Sequence, residues 1–309
     1  MATLEEMAQQ GDPGTLDKEE DATQLKLMDP QKLYELWERQ QWLSQEIDFS
    51  QDKDDWKNLD DDQRDQVIWL LSSFFIGEER VTTQFSGLVM AYEDEHEESF
   101  LTTQQVDEAR HMQFFDRFYR EVVSLEQKDF DGRLQRVREE LNDAFVKLFD
   151  EELVTAGKRL IEDPTDRVAK VEFVTTYHMV IEGTLALTGQ KFITDYFEKE
   201  EIFPGFVEGF SNVATDEHRH VAYGTWYLHG SAGEDDELAK KMQAKLQELI
   251  PIAAGVLIPP GTPEGEDWEL LGYSSEEVNG YAFNSLSRRL KAIGVPLSMN
   301  VGNGDGPGS

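Results

Sequence analysis

One pattern, present twice, limits what this chain can become. Glu78 precedes Glu108 by 30 residues and His111 follows three places later; Glu182, Glu217 and His220 repeat the arrangement with a spacing of 35. Residues three apart on a helix lie within about one turn on one face, so each Glu-x-x-His offers a carboxylate and an imidazole together. Four carboxylates and two imidazoles are the ligand inventory of a dinuclear carboxylate site in a four-helix bundle: one Glu from each of two helices and a Glu-x-x-His from each of the others. Without compensation, four carboxylates cannot share an apolar core, because burial and mutual repulsion would protonate them. Two divalent cations supply the balancing charge. Oxygen-rich, mixed N/O coordination suits iron or manganese, although imidazole also raises affinity for zinc and copper.

The rest of the chain agrees with an all-α reading. Helical periodicity begins at Pro30 with Leu33, Leu36, Trp37 and Trp42, and a long helix is expected from about Asp60 to Ala91. After the acidic break YEDEHEESF, helices are expected at about 100–124, 132–161, 164–200, 203–229, 237–252 and 275–293. Asp163-Pro164 reads as a start signal and the SAGED stretch, Ser231 to Asp235, as a loop. Alternating Val/Ile/Thr runs bounded by turns are nearly absent. Residues 1–28 read as a polar, mobile segment, 29–296 as one helical domain, and 297–309 as a disordered tail.

Charge and composition remove other classes. With 63 acidic against 29 basic residues, the formal net charge is −34, which argues against holding a phosphate backbone. The absence of cysteine excludes disulfides, thiolate metal sites and a cysteine nucleophile. No apolar run reaches the ~18–20 residues of a membrane span, and the first residues lack a basic, then apolar, signal peptide. A cytoplasmic protein is expected. Acidic residues dispersed along the chain read as adaptation to a high-salt interior, where a Debye length of about 3 Å at 1 M screens self-repulsion.

The Glu-x-x-His spacing alone is weak evidence, since Glu93 and His96 share it in a segment charged on every side, which reads as a solvated linker. His111 and His220 differ in having apolar neighbours (Phe114, Phe115, Phe118; Val221, Tyr223, Trp226) and a glutamate one helix upstream. His178, out of phase with the ligands, reads as a core histidine with a supporting role as the alternative. Asp107 and Asp216 could equally orient a ligand imidazole or face solvent. The aromatic stripe Phe114–Tyr119 reads as core.

The stretches IGEERVTTQF, VDEARHMQFF, TYHMVIEGTLALTGQ and TDEHRHVAYGT resemble the ribonucleotide-reductase small-subunit superfamily, a ferritin-like fold, over roughly residues 60–295. They are most similar to its R2-like ligand-binding oxidase branch. The resemblance implies a homodimer with a manganese/iron cofactor: Glu78, Glu108 and His111 hold manganese, Glu182, Glu217 and His220 hold iron, and Glu108 and Glu217 bridge. It also implies a long-chain fatty acid whose carboxylate reaches the metals. When the reduced cofactor activates dioxygen, a Tyr–Val ether cross-link is implied between Tyr177 and Val81, together with two-electron C–H oxidation. Val81 lies one turn past Glu78. Tyr177, five before Glu182, would sit about 140° away on an α-helix, so spacing does not nominate it.

Three rivals stand beside this reading. A ribonucleotide-reductase small subunit usually carries a radical tyrosine one turn after the first motif's histidine, where this chain has Phe115, and relays through a tyrosine near the C-terminus, where the last one here is Tyr281. An acyl desaturase or other dinuclear oxygenase would use the same six ligands. A ferritin-like storage protein would hold many irons per chain. An electron donor is a further expected partner for any of the oxidases.

Overall fold

The computed structural model describes residues 27–295 apart from Glu264. The tail expected at 297–309, and all but the last two residues of the N-terminal segment expected at 1–28, lie outside the described residues.

In chain order the helices are α1 (Pro30–Arg39), α2 (Ser50–Asn58), α3 (Asp61–Met90), α4 (Glu95–Phe118), α5 (Phe130–Arg138), α6 (Asp143–Val146), α7 (Leu153–Glu162), α8 (Arg167–Val174), α9 (Leu187–Lys199), α10 (Pro204–Glu234), α11 (Asp236–Val256) and α12 (Ser275–Ile293). Three π-helical stretches continue or join them: Tyr119–Val123 after α4, Lys147–Glu152 between α6 and α7, and Thr175–Ala186 between α8 and α9. A two-stranded hairpin, β1 (Glu269–Leu270) and β2 (Tyr273–Ser274), pairs antiparallel. The periodicity gave no sign of this ribbon. Leu271 (φ 51°) and Gly272 (φ 81°) turn it, both left-handed as a two-residue hairpin turn requires.

Helix starts are set by short polar side chains. Asp29 accepts from the Lys32 amide ahead of Pro30, and Asp60 forms a capping box with Gln63. Asp94 accepts from His96 and Glu97, so α4 begins five residues before the expected Phe100. The acidic run that reads as a break thus supplies a cap and a first turn of carboxylates, where the helix dipole favours them. Other boundaries also differ. The expected 132–161 helix is split, because the Asn142 side chain caps Phe145 and starts α6. Asp163 forms a turn with Thr165, and Asp166 is the true cap of α8. The SAGED stretch stays helical through Glu234, and Asp235 caps α11.

α10 has no cap of its own. Its preceding residue Phe203 is left-handed (φ 54°), and Asp52 of α2 accepts from the Gly205 and Phe206 amides at 2.9 and 2.7 Å while Asp55 accepts from Phe203 at 2.8 Å. A neighbouring helix therefore satisfies the orphan donors at this end.

α3 packs on α4, α4 on α10, and α10 on the π-helix Thr175–Ala186. This is the four-helix core anticipated from the doubled motif, each copy supplying one adjacent pair. Below the motifs the core is aromatic: Phe118 meets Phe206 at 4.9 Å between ring centroids, and Phe115 stacks on Phe74 at 5.8 Å. The Phe114–Tyr119 stripe is core, as expected. No described helix is long and apolar enough to cross a membrane.

Candidate metal centre

Each of the four core elements brings one part of the site. Glu78 comes from α3, Glu108 and His111 from α4, Glu182 from the π-helix, and Glu217 and His220 from α10. None of the six is more than 6% exposed. Donor atoms of Glu78, Glu108, His111 and Glu217 lie within 4.8 Å of one another, as do those of Glu108, Glu182 and His220. Glu108 belongs to both groups. Glu217 turns one oxygen toward each imidazole, Oε1 to His111 Nδ1 and Oε2 to His220 Nδ1, both at 3.9 Å.

The outer face of each ring is held across the helix pair. His111 Nε2 meets Asp216 Oδ2 at 3.1 Å, and His220 Nε2 meets Asp107 Oδ2 at 3.3 Å. Each aspartate thus serves the imidazole of the other motif, not its own. Each Nδ1 faces glutamate carboxylates. Burial would lower both imidazoles, but these carboxylates and Asp216 and Asp107 outweigh it and raise them well above their ordinary range, so the site favours positive charge there, from protons or from metals. The Trp37 and Trp42 indoles donate to Asp107 and Asp216 at 2.9 and 2.7 Å.

The buried atoms fit a metal. His111 Nδ1, Glu182 Oε2 and Glu217 Oε2 have no hydrogen-bond partner although buried, and such orphaned atoms are costly. Burial drives the Glu78 and Glu217 carboxyls well above their ordinary range, with neighbouring carboxylates adding to it, and brings Glu182 to about 7. For Glu108, burial pushes up but His220 and His111 outweigh it and hold the carboxyl well below. The protein alone therefore keeps protons in the site, and metals entering it would displace them.

Tyr177 is also inside. Its phenol donates to Glu108 at 2.5 Å and to Glu182. The Gln104 amide donates to the Tyr177 oxygen at 3.1 Å and lies 3.2 Å from His178 Nε2. His178 thus stands behind the site, joined to it through Gln104. Val81 and Tyr177 line one cavity that begins at Glu78, Glu108, Glu182 and Glu217 and runs out past Trp69, Phe149 and Leu257. Its volume is about 90 Å³, and it is partly open to solvent. Away from the carboxylates its wall is almost entirely apolar. By contrast, His96 is exposed and Glu93 reaches Lys170, so this spaced pair takes no part.

A family model for the ribonucleotide reductase small chain matches residues 22–301. The chain belongs to that family. It is an oxidoreductase with a dinuclear metal site, and its bundle is the small-subunit-like, ferritin-like fold. Among solved structures, a glycine-to-phenylalanine variant described as an R2-like ligand-binding oxidase with an anaerobically reconstituted Mn/Fe cofactor is 28% identical. The match covers 86% of this chain and 94% of that one, with a TM-score of 0.73. A valine-to-leucine variant with the same description is 27% identical over 90% and 95%, with a TM-score of 0.75.

Sequence reasoning missed Gln104, Trp37, Trp42, Arg110 and Arg219 around the site. The two arginines were visible as partners three residues after Asp107 and Asp216. The tryptophans arrive from α1 and the segment after it, and nothing local marks them.

Proposed function

We propose that this small-chain family member is a dioxygen-activating Mn/Fe or Fe/Fe oxidase that binds a long-chain fatty-acid-like ligand and performs two-electron C–H oxidation. In this reading Glu78, Glu108 and His111 would hold the first metal and Glu182, Glu217 and His220 the second, with Glu108 and Glu217 shared between them. When bound, the metals supply dioxygen activation and the removal of hydrogen from an unactivated C–H bond.

The chain's own residues do the rest. Asp107 and Asp216 orient the imidazoles, while the apolar wall excludes water and accepts an alkyl chain whose carboxylate faces the four glutamates. The ether between Tyr177 and Val81 removes one hydrogen from the phenol and one from the valine side chain, two electrons in all, with dioxygen as the terminal acceptor. The observation that carries this reading is the Tyr177 phenol among the glutamates, on the same cavity as Val81. The two solved structures described as R2-like ligand-binding oxidases with Mn/Fe support it by likeness.

The family match also favours a ribonucleotide-reductase small subunit as a second reading. Against it, Phe115 is enclosed by Phe74, Phe114, Phe206 and Phe210, with no phenol at that place. Aerobic reconstitution followed by metal analysis and peptide mass spectrometry tests the choice. The expected result is two metals per chain and a peptide pair joining Val81 to Tyr177 that has lost two hydrogens. Unlinked peptides, together with restored nucleotide reduction on adding a purified large subunit, would establish the second reading.

A further inference from the structure

Outside the six site residues, the two motifs are tied together by a bracket of buried charge. Arg219 Nη2 donates to Asp107 Oδ2 at 2.9 Å and to Asp216 Oδ1 at 2.5 Å, and its Nη1 donates to Gln40 Oε1 at 2.6 Å. The residue is 3% exposed. Arg110 closes the other side more loosely, 3.0 Å from Asp107 and 3.5 Å from Asp216, with its guanidinium over the Trp42 ring. Two arginines thus balance two aspartates, so the layer behind the imidazoles is neutral and the glutamate charge is left for the metals to compensate.

Asp107 holds His220 and Asp216 holds His111. Arg219 Nη2 is therefore bonded to both aspartates and linked through them to both imidazoles, beside the Trp37, Trp42 and Arg110 contacts, so a shift at one aspartate is felt at the other. A planar, always-charged fork suits this task, whereas a lysine ammonium is a single point charge.

We propose that Arg219 is a positioning residue shared by the two metal sites, which makes their affinities rise and fall together. The inference rests on the reading that the six residues hold two metals.

Anaerobic titration with Mn(II) alone, followed by calorimetry and by the electron paramagnetic resonance of the bound ion, tests it. Partners that orient ligand histidines are worth about 10–100-fold in metal affinity. Arg219→Met, assayed where circular dichroism shows it folded, is expected to lower both binding constants by that order and to change the resonance of both bound ions, with a lower metal-free melting temperature because the buried aspartates lose a partner. Asp216→Asn should weaken chiefly the site containing His111, and Asp107→Asn the one containing His220. Arg219→Lys should recover part of the loss. Wild-type affinity at both sites in folded Arg219→Met, or loss at one site only, overturns the inference. Should Arg219→Met not fold, Arg219→Lys decides: reduced affinity at both sites supports the bracket and undiminished affinity overturns it. Wild-type protein taking up fewer than two Mn(II) ions would overturn the underlying assignment instead.

Discussion

The phenol of Tyr177 donates to the carboxylate of Glu182, five residues further along the same helix. On an α-helix those positions lie about 140° apart and could not meet so readily. Here Thr175–Ala186 is π-helical, and i→i+5 hydrogen bonding brings the fifth residue back near the starting face. Removing only the phenol oxygen, as in Tyr177→Phe, is therefore expected to leave metal uptake at two per chain and abolish the loss of two hydrogens in peptide mass spectra. A surviving cross-link at Val81 would show that another side chain is its partner.

Glu108 is common to both donor groups, and Glu78 belongs to one. Glu108→Gln should therefore reduce tight metal uptake from two per chain toward none, while Glu78→Gln should leave about one site intact. Elemental analysis after desalting distinguishes these outcomes. Two tightly held metals in Glu108→Gln would exclude Glu108 as the bridge.

Asp52 acts at a distance in sequence by closing the start of α10, the helix that carries Glu217 and His220. Truncation in Asp52→Ala strands two buried amides and is expected to cost about 1–3 kcal/mol, read as a lower urea midpoint.

The same carboxylate also carries a pH signature. Burial raises it from 3.8 to about 6, against the pull of the Gly205 and Phe206 amides. Because the folded value lies above the unfolded one, this group's stabilising contribution is present at low pH and is lost as pH rises through about 6. Between pH 4 and 6, wild-type stability should fall more steeply with rising pH than that of Asp52→Asn. Parallel pH profiles of the two proteins would remove Asp52 as the source.

Gly224 lets α10 approach the π-helix. A Cβ there would stand 2.2 Å from the His178 Cβ, a separation no packed pair tolerates. Gly224→Ala is expected to destabilise by about 1–3 kcal/mol through overpacking, read as a lower urea midpoint. A neutral effect would mean that His178 moves aside freely and does not hold Gln104 in place.

With a net charge of −34, self-repulsion opposes compaction wherever it is unscreened. The unfolding midpoint is expected to rise between low and molar KCl. A flat or falling midpoint would remove the reading of a high-salt interior.

The long helices and the six convergent side chains could be read in advance because they rest on spacing along the chain: 3.6-residue periodicity, Glu and His three apart, and a glutamate 30 or 35 residues upstream. The starts of α4 and α6 were misjudged for the opposite reason. Asp94 and Asn142 act through single cap bonds, which periodicity does not register. Asp107 and Asp216 were left undecided because the deciding partner of each sits on the other helix.

From the residues alone came the all-helical core, the doubled donor set and the balance of four acids against two divalent cations, since composition and helical phase are properties of a linear chain. Folding decided which imidazole each aspartate serves, that a π turn brings Tyr177 to Glu182, and that Asp52 closes a helix about 150 residues away. Those relations depend on how separate helices cross and on where the backbone departs from α geometry, and such energies arise only once the elements are packed.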